Sequence, residues 1–345
     1  MKGILSQIKN NLTKEKFSIG LDIGTAQIKA VKIRTLKDQV ELCAYAIEPT
    51  QSNLGELLKR LSGGDSVVDC VNISVSGQQT VIRYVNFPRM NNNELRQALK
   101  FEAQKHIPFS VSDVHLDGYI LKDDLPDNKM LVLIAAAKKD LVGQRLKLVE
   151  NAGFSSGLVD IDSVALVNAF NYNYPYKERD ELNAIALLNI GASVSNLDVL
   201  AQGCPRLSRD MHIAGNSFTQ KIADIFGIEF EKAEQLKINP QEDKANKIKA
   251  GVESAIAGLA GEIRTSFDYY ESQGTLSVSK IYLSGGGSEF GDLRSMLSHF
   301  LNIEVEYWDP FKNIKVAFTD TPGIEKLSAV SKELAVAVGL GLRSA

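Results

Sequence analysis

The sequence is poor in the residues that mark metal sites, disulfide scaffolds and nucleophilic catalysis: three cysteines and four histidines in 345 residues. Cys43, Cys70 and Cys204 stand far apart and are odd in number, which argues against a disulfide framework or a zinc site and for a reducing compartment. His106, His115, His212 and His299 have no ligand-like spacing, and no Ser/His/Asp nucleophile system stands out. No apolar run approaches the roughly 20 residues that span a bilayer. The N-terminus, MKGILSQIKNNLTKEK, has no apolar stretch followed by a small-residue cleavage site, so it does not read as a secretory signal. With a net charge of −3 there is no basic excess to neutralise phosphates, and no nucleic-acid partner is expected. The expectation is a cytoplasmic protein.

What is present is an ordinary globular composition, 44% hydrophobic and 23% charged, on a chain long enough for two domains. In the leader, residues 1–16, Ile4, Leu5, Ile8 and Leu12 fall at helical spacing among Lys2, Lys9, Lys14 and Lys16. Such a basic amphipathic helix could lie on an anionic membrane, although a frayed leader or a helix packed on the body is the plainer reading.

Alternating apolar positions predict a strand at Phe17–Ile23 and a second at Ile28–Ile33, joined by a tight turn over Asp22–Gln27. A strand near 40–48, a helix at Leu54–Leu61 and a strand at Val67–Ser76 follow. Residues 86–154 read as a compact α/β insertion, with a helix from Glu94 that Pro108 ends. A second strand–turn–strand occupies Ala184–Asn189 and Leu197–Leu200, residues 216–273 are mainly helical, and Leu327–Leu342 forms an apolar last helix. Two Asp/Asn-x-Gly hairpins thus recur about 167 residues apart, each within an α/β body.

Three elements carry chemistry. In Asp22-Ile23-Gly24-Thr25-Ala26-Gln27-Ile28-Lys29, Gly24 lets the backbone approach a ligand, and N–H groups with the Thr25 hydroxyl can line a phosphate nest. Lys29 supplies a cation, and Asp22 can hold hydrated Mg²⁺ through water. By itself this segment reads sooner as a turn kept for geometry alone. Asn189-Ile190-Gly191-Ala192-Ser193 takes the matching place in the second half. Ile281-Tyr282-Leu283-Ser284-Gly285-Gly286-Gly287 is a strand feeding glycines into a helix start, a junction that can meet a ribose or an anion.

In this order the three elements resemble phosphate 1, phosphate 2 and adenosine of the actin, sugar kinase and heat-shock ATPase superfamily. The resemblance implies a bilobed α/β fold related to ribonuclease H, with ATP and Mg²⁺ between two lobes. Asp22, Gly24, Thr25 and Lys29 match phosphate 1; Asn189, Gly191 and Ser193 match phosphate 2; Gly285, Gly286 and Gly287 match adenosine. Asp162, at a strand-to-helix crossing, matches the group that positions the attacking water, so Asp22 and Asp162 are the candidate catalytic residues. Glu234 and Lys237 match the pair that contacts ribose and adenine, and a solvated i, i+3 ion pair is the equal alternative.

Within the superfamily the chain resembles the PilM family of type IV pilus assembly, a relative of FtsA. The insertion pattern appears as Phe87-Pro88, Glu94-Leu95, Phe101-Glu102-Ala103 and His106-Ile107-Pro108-Phe109, and the crossing as Asp160-Ile161-Asp162-Ser163-Val164-Ala165-Leu166. The likeness implies a first subdomain of 17–85, 155–183 and 312–345 and an inserted one, called 1C, of 86–154. It further implies a third of 184–215 and 276–311 and a fourth of 216–275. It implies a scaffold, peripheral at the bacterial inner membrane, that captures the N-terminal cytoplasmic tail of the inner-membrane protein PilN. The groove would lie between the insertion and the first lobe, with Phe101, Ile107 and Phe109 as contact candidates; core packing is the other reading of each. Asn189 stands where the family has an acid, which removes a negative charge near the cation and leaves at most a slow ATPase. The alternatives are an active ATPase and an FtsA-like filament formed by self-association.

Overall fold

The computed structural model describes residues 15–37, 39–63, 70–176, 183–273, 276–318 and 321–343; the leader read at 1–16 falls almost wholly outside them. Strands β1 (Lys16–Ile23), β2 (Gln27–Leu36) and β3 (Gln39–Pro49) form an antiparallel meander. Helix α1 (Leu54–Ser62) follows, entered at Asn53, whose side chain accepts from Glu56 N–H, and stopped at Gly63, where φ is +70°. Next come β4 (Cys70–Val75), β5 (Thr80–Pro88), α2 (Asn92–Glu102), β6 (Val114–Leu125), β7 (Lys129–Lys138) and α3 (Lys139–Asn151). The chain continues through β8 (Ser156–Ile161), α4 (Asp162–Asn173), β9 (Ala184–Ile190), β10 (Ser195–Ala201), β11 (Cys204–Met211), α5 (Gly215–Phe226), α6 (Phe230–Ile238) and α7 (Ala245–Glu271). It closes with β12 (Val278–Ser284), α8 (Leu293–Leu301), β13 (Glu304–Tyr307), β14 (Lys315–Val316), α9 (Thr321–Val330) and α10 (Ala335–Gly341).

The described residues divide into two compact units, one within Met1–Ser74, Gly143–Pro175 and Asp309–Ala345, the other within Val75–Val142 and Tyr176–Trp308. The first is built on a sheet of order β14-β3-β2-β1-β4-β8. Ile19, Leu21, Ile28 and Ala30 meet Leu57, Leu58 and Leu61 of α1 and Val149 of α3 in one core. Helix α10 is buried along its whole length. Its last carbonyls are satisfied by side chains: Asn72 Nδ2 donates to Leu340 O at 2.9 Å and Ser18 Oγ to Gly341 O at 2.5 Å, and Asn72 Nδ2 also reaches Arg343 O, just past the helix, at 2.7 Å.

The second unit holds two sheets. The larger, of order β11-β10-β9-β12-β13, buries alternate residues Ala184, Ala186, Leu188 and Ile190 against Phe218, Ile222, Val252 and Ile256 of α5 and α7. The smaller, β5-β7-β6, packs Val132 and Ile134 against Leu95 and Leu99 of α2. Helix α2 opens with a capping box: Asn91 Oδ1 accepts from Glu94 N–H at 3.1 Å, and the Glu94 carboxylate accepts from Asn91 N–H at 2.8 Å.

Two elements differ from the sequence reading. The small sheet begins at Thr80, where β5 pairs with Ala137 of β7, while Val149 of α3 joins the first unit's core; a cut at 86–154 divides elements that pack together. The last helix is interrupted by a 3₁₀ turn, Ser331–Leu334, although no proline or glycine marks the break.

Candidate nucleotide and peptide sites

The two Asx-x-Gly turns fold alike. Gly24 N–H donates to Gln27 O and Gly191 N–H to Val194 O, each at 3.0 Å. A Cβ at either glycine would lie 2.9 Å from Gln27 O or 2.8 Å from Val194 O, so both turns are tight enough to need glycine. In the first unit, Asp22 and Lys29 face each other across β1 and β2, Nζ 3.8 Å from the carboxylate, with both side chains largely buried. Thr25 is exposed in the turn, and Asp162 starts α4 at the end of β8. The structure therefore places every phosphate 1 candidate on one hairpin end.

In the second unit the β9–β10 turn is closed by the start of α5. Gly215 N–H donates to Gly191 O at 3.0 Å, Asn216 N–H to Ala192 O at 2.7 Å, and Asn216 Nδ2 to Ser193 Oγ at 3.0 Å. The glycines after β12 press onto the same turn. A Cβ on Gly287 would lie 2.6 Å from Gly191 O, and one on Gly285 would lie 2.3 Å from Ile190 O. Gly286 starts the short 3₁₀ turn Gly286–Glu289 between them and α8. The phosphate 2 and adenosine elements, 95 residues apart at Asn189 and Ser284, thus meet with backbone against backbone, and Ser284 Oγ donates to Asn189 Oδ1 at 3.2 Å.

Glu234 and Lys237 lie on one face of α6 and pair at 2.7 Å. They are not a solvated surface pair: Lys237 is 12% exposed and Glu234 36%. Lys237 Nζ donates to Thr219 Oγ1 at 2.9 Å and reaches Gly215 O at 3.3 Å, while the Thr219 hydroxyl donates to Glu234. A Cβ on Gly215 would sit 3.6 Å from Lys237 Nζ. The pair is thus docked on the α5 start, beside the glycine contacts. Sequence reading missed Gly215, Asn216 and Thr219, because α5 starts after Ala214 without a polar cap residue to announce it.

These groups suit a nucleotide: paired glycine loops for backbone approach, a lysine and an amide for phosphate or ribose oxygens. Among the described residues no group of three or more His, Cys, Asp and Glu could hold a metal ion. In the first unit Asp22 could hold a Mg²⁺ through water, together with a ligand's phosphate oxygens, which is how that ion is commonly held.

On the small sheet the three contact candidates part company. Phe101 is 78% exposed on the outer face of α2, Ile107 at 6% belongs to the core, and Phe109 is partly buried with Lys138 Nζ 5.4 Å above its ring. Tyr119 on β6 is 68% exposed. Helix α2 lies close on that strand, since a Cβ on Gly118 would meet Leu99 Cδ1 at 2.4 Å.

The family described as type IV pilus assembly protein PilM matches residues 20–345. The chain belongs to that family. It is similar to a solved PilM-PilN type IV pilus biogenesis complex, with 26% identity, a TM-score of 0.81 and coverage of 94% of this chain and 98% of that one. It also shares its fold with the ethanolamine utilization protein EutJ from Carboxydothermus hydrogenoformans, at 13% identity, a TM-score of 0.52 and coverage of 96% and 90%. The fold is the α/β actin-like one that the resemblance of the three elements implied. No helix among the described residues is long and apolar enough to cross a membrane.

Proposed function

We propose that this chain is a nucleotide-bound scaffold of type IV pilus assembly that holds the N-terminal cytoplasmic tail of an inner-membrane PilN. Its place would be cytoplasmic, peripheral at the inner membrane through that partner. The observation that carries the reading is the likeness, over 94% of the chain, to the PilM-PilN complex. On this chain α2 offers an extended apolar peptide the exposed aromatic ring of Phe101 on a firmly packed support, with Ile107 in the core beneath; Tyr119, exposed on β6, lies on the face of the small sheet away from α2. A labelled PilN-tail peptide should bind the Phe101→Ala variant about tenfold more weakly than wild type, as for an aromatic contact at an interface centre. Equal affinity would remove Phe101 from the site.

ATP is the proposed nucleotide: on the second unit Lys237, Glu234 and the Gly285–Gly287 loop would serve ribose and base and the Asn189–Ser193 turn phosphate, and on the first unit Thr25 and Lys29 are the phosphate candidates. When bound, ATP with Mg²⁺ supplies the charge that orders these turns. Asn189 brings no negative charge to the metal's surroundings, so the chain is expected to hold ATP rather than spend it. Steady-state turnover should stay well below roughly 1 s⁻¹, the low end of ordinary enzymes; a faster rate in purified protein would make this an ATPase.

A further inference from the structure

Four polar residues stand side by side across the larger sheet of the second unit. Ser284 on β12 pairs with Asn189 on β9, Asn189 with Asn196 on β10, and Asn196 with Asp210 on β11. Directly paired residues share a face, here the one opposite α5 and α7. Asn196 and Ser284 are buried. The bonds run without a gap: Ser284 Oγ to Asn189 Oδ1 at 3.2 Å, Asn189 Nδ2 to Asn196 Oδ1 at 3.3 Å, and Asn196 Nδ2 to Asp210 Oδ1 at 2.7 Å. The last oxygen, Asp210 Oδ2, accepts from Gly77 N–H at 2.8 Å. Gly77, at φ +86°, opens the turn into β5, and its carbonyl accepts from both Thr80 N–H and Thr80 Oγ1 at 2.9 Å.

The direction of this row is set at one end. A carboxylate can only accept, so Asn196 must turn its amide nitrogen to Asp210 and its oxygen to Asn189. Asn189 must then donate to Asn196 and present its own oxygen to Ser284 and the Gly285 loop. That oxygen would lie 2.8 Å from a Cβ on Gly285. The negative charge missing from position 189 therefore stands two residues along the row, where it holds the entry to the small sheet.

We propose that Asp210 is the positioning residue of the phosphate 2 turn: it fixes the Asn189 amide and, through Gly77, ties that turn to the peptide-binding small sheet. The proposal rests on the nucleotide reading above. A ligand that pulls on Asn189 is felt at Gly77.

The test is backbone hydrogen exchange at Gly77 in the full chain, first without nucleotide. Asn189→Asp alone sets a carboxylate against the Asn196 oxygen, and Gly77 should exchange at least about tenfold faster, as when a buried polar pair is left unmatched. The double variant Asn189→Asp/Asp210→Asn satisfies every group with the row reversed and should return to within about threefold of wild type. If the single variant does not fold, Asp210→Asn against Asp210→Ala decides: the first keeps Gly77 protected, the second loses at least about tenfold. No change in Asn189→Asp or in Asp210→Ala, or no rescue in the double, overturns the proposal. Adding ATP·Mg²⁺ to wild type should slow Gly77 exchange at least about threefold; bound ATP with unchanged exchange overturns the coupling. Absence of ATP binding by calorimetry overturns the nucleotide reading instead, and the comparison without nucleotide still upholds or overturns the row.

Discussion

Gly285→Ala should abolish nucleotide binding in practice, weakening ATP by at least about a hundredfold, and should destabilise the second unit by roughly 3–5 kcal/mol. Two independent effects add. The residue sits at φ +90°, ψ 152°, a conformation open in practice only to glycine. The new Cβ would also lie 2.3 Å from Ile190 O and 2.7 Å from Ile190 C, both backbone atoms that cannot swing aside. The strand end carrying Asn189 has to move, and the two nucleotide elements separate. Denaturant unfolding and ATP titration read the two effects separately. A variant with wild-type midpoint and affinity would show that the loop is not in contact as described.

The other large effect is expected in the first unit. Gly339→Ala should cost about 3 kcal/mol or more, because its Cβ would come 1.8 Å from Ala165 O, on α4. Helix propensity works the other way, favouring alanine by about 1 kcal/mol, so the sign of the result tests whether packing or propensity decides. Here packing wins: α10 is buried throughout, and Gly20 on β1 leaves it no room to retreat, a Cβ there meeting Ala337 O at 2.0 Å. Gly143→Ala in α3 is the control. A Cβ there meets nothing within 4 Å, so the same change should stabilise by roughly 0.5–1 kcal/mol. Destabilisation by both variants to the same extent would mean that glycine matters in these helices for some other reason than contact.

Local signals made much of this legible. The hairpins at Asp22 and Asn189 were readable because alternation and an Asx-x-Gly turn are both short-range, and the β1–β2 register follows from them. Helix α2 was readable from Asn91, Glu94 and the spacing of Leu95 and Leu99. What escaped depends on pairing between distant segments. Asn196 and Asp210 look like ordinary strand residues until β10 and β11 are set in register. Seen along the chain, Glu234 and Lys237 are an i, i+3 pair; only the structure shows Lys237 bonded to Thr219 and Gly215 at the α5 start. Ile107 and Phe101 share one motif yet end in opposite places, because Ile107 turns into the core below α2 while Phe101 rides on its outer face.

Seam polarity supports the same picture. Tyr84 of β5 bonds Ser208 of β11 at 2.7 Å, and burial, with the nearby Asp198 charge, pushes its phenol far above the ordinary range. The phenol is therefore protonated at all working pH values, and this second tie between the small sheet and β11 does not depend on titration near neutrality.

The most direct test of the central claim is calorimetric titration of the full chain with a synthetic peptide of the PilN N-terminal cytoplasmic tail, in the presence of ATP·Mg²⁺. A saturable one-to-one isotherm that weakens in Phe101→Ala is the predicted result. ATP binding with no heat from the peptide would contradict the claim, and would leave a nucleotide-binding actin-like protein whose partner is something other than PilN.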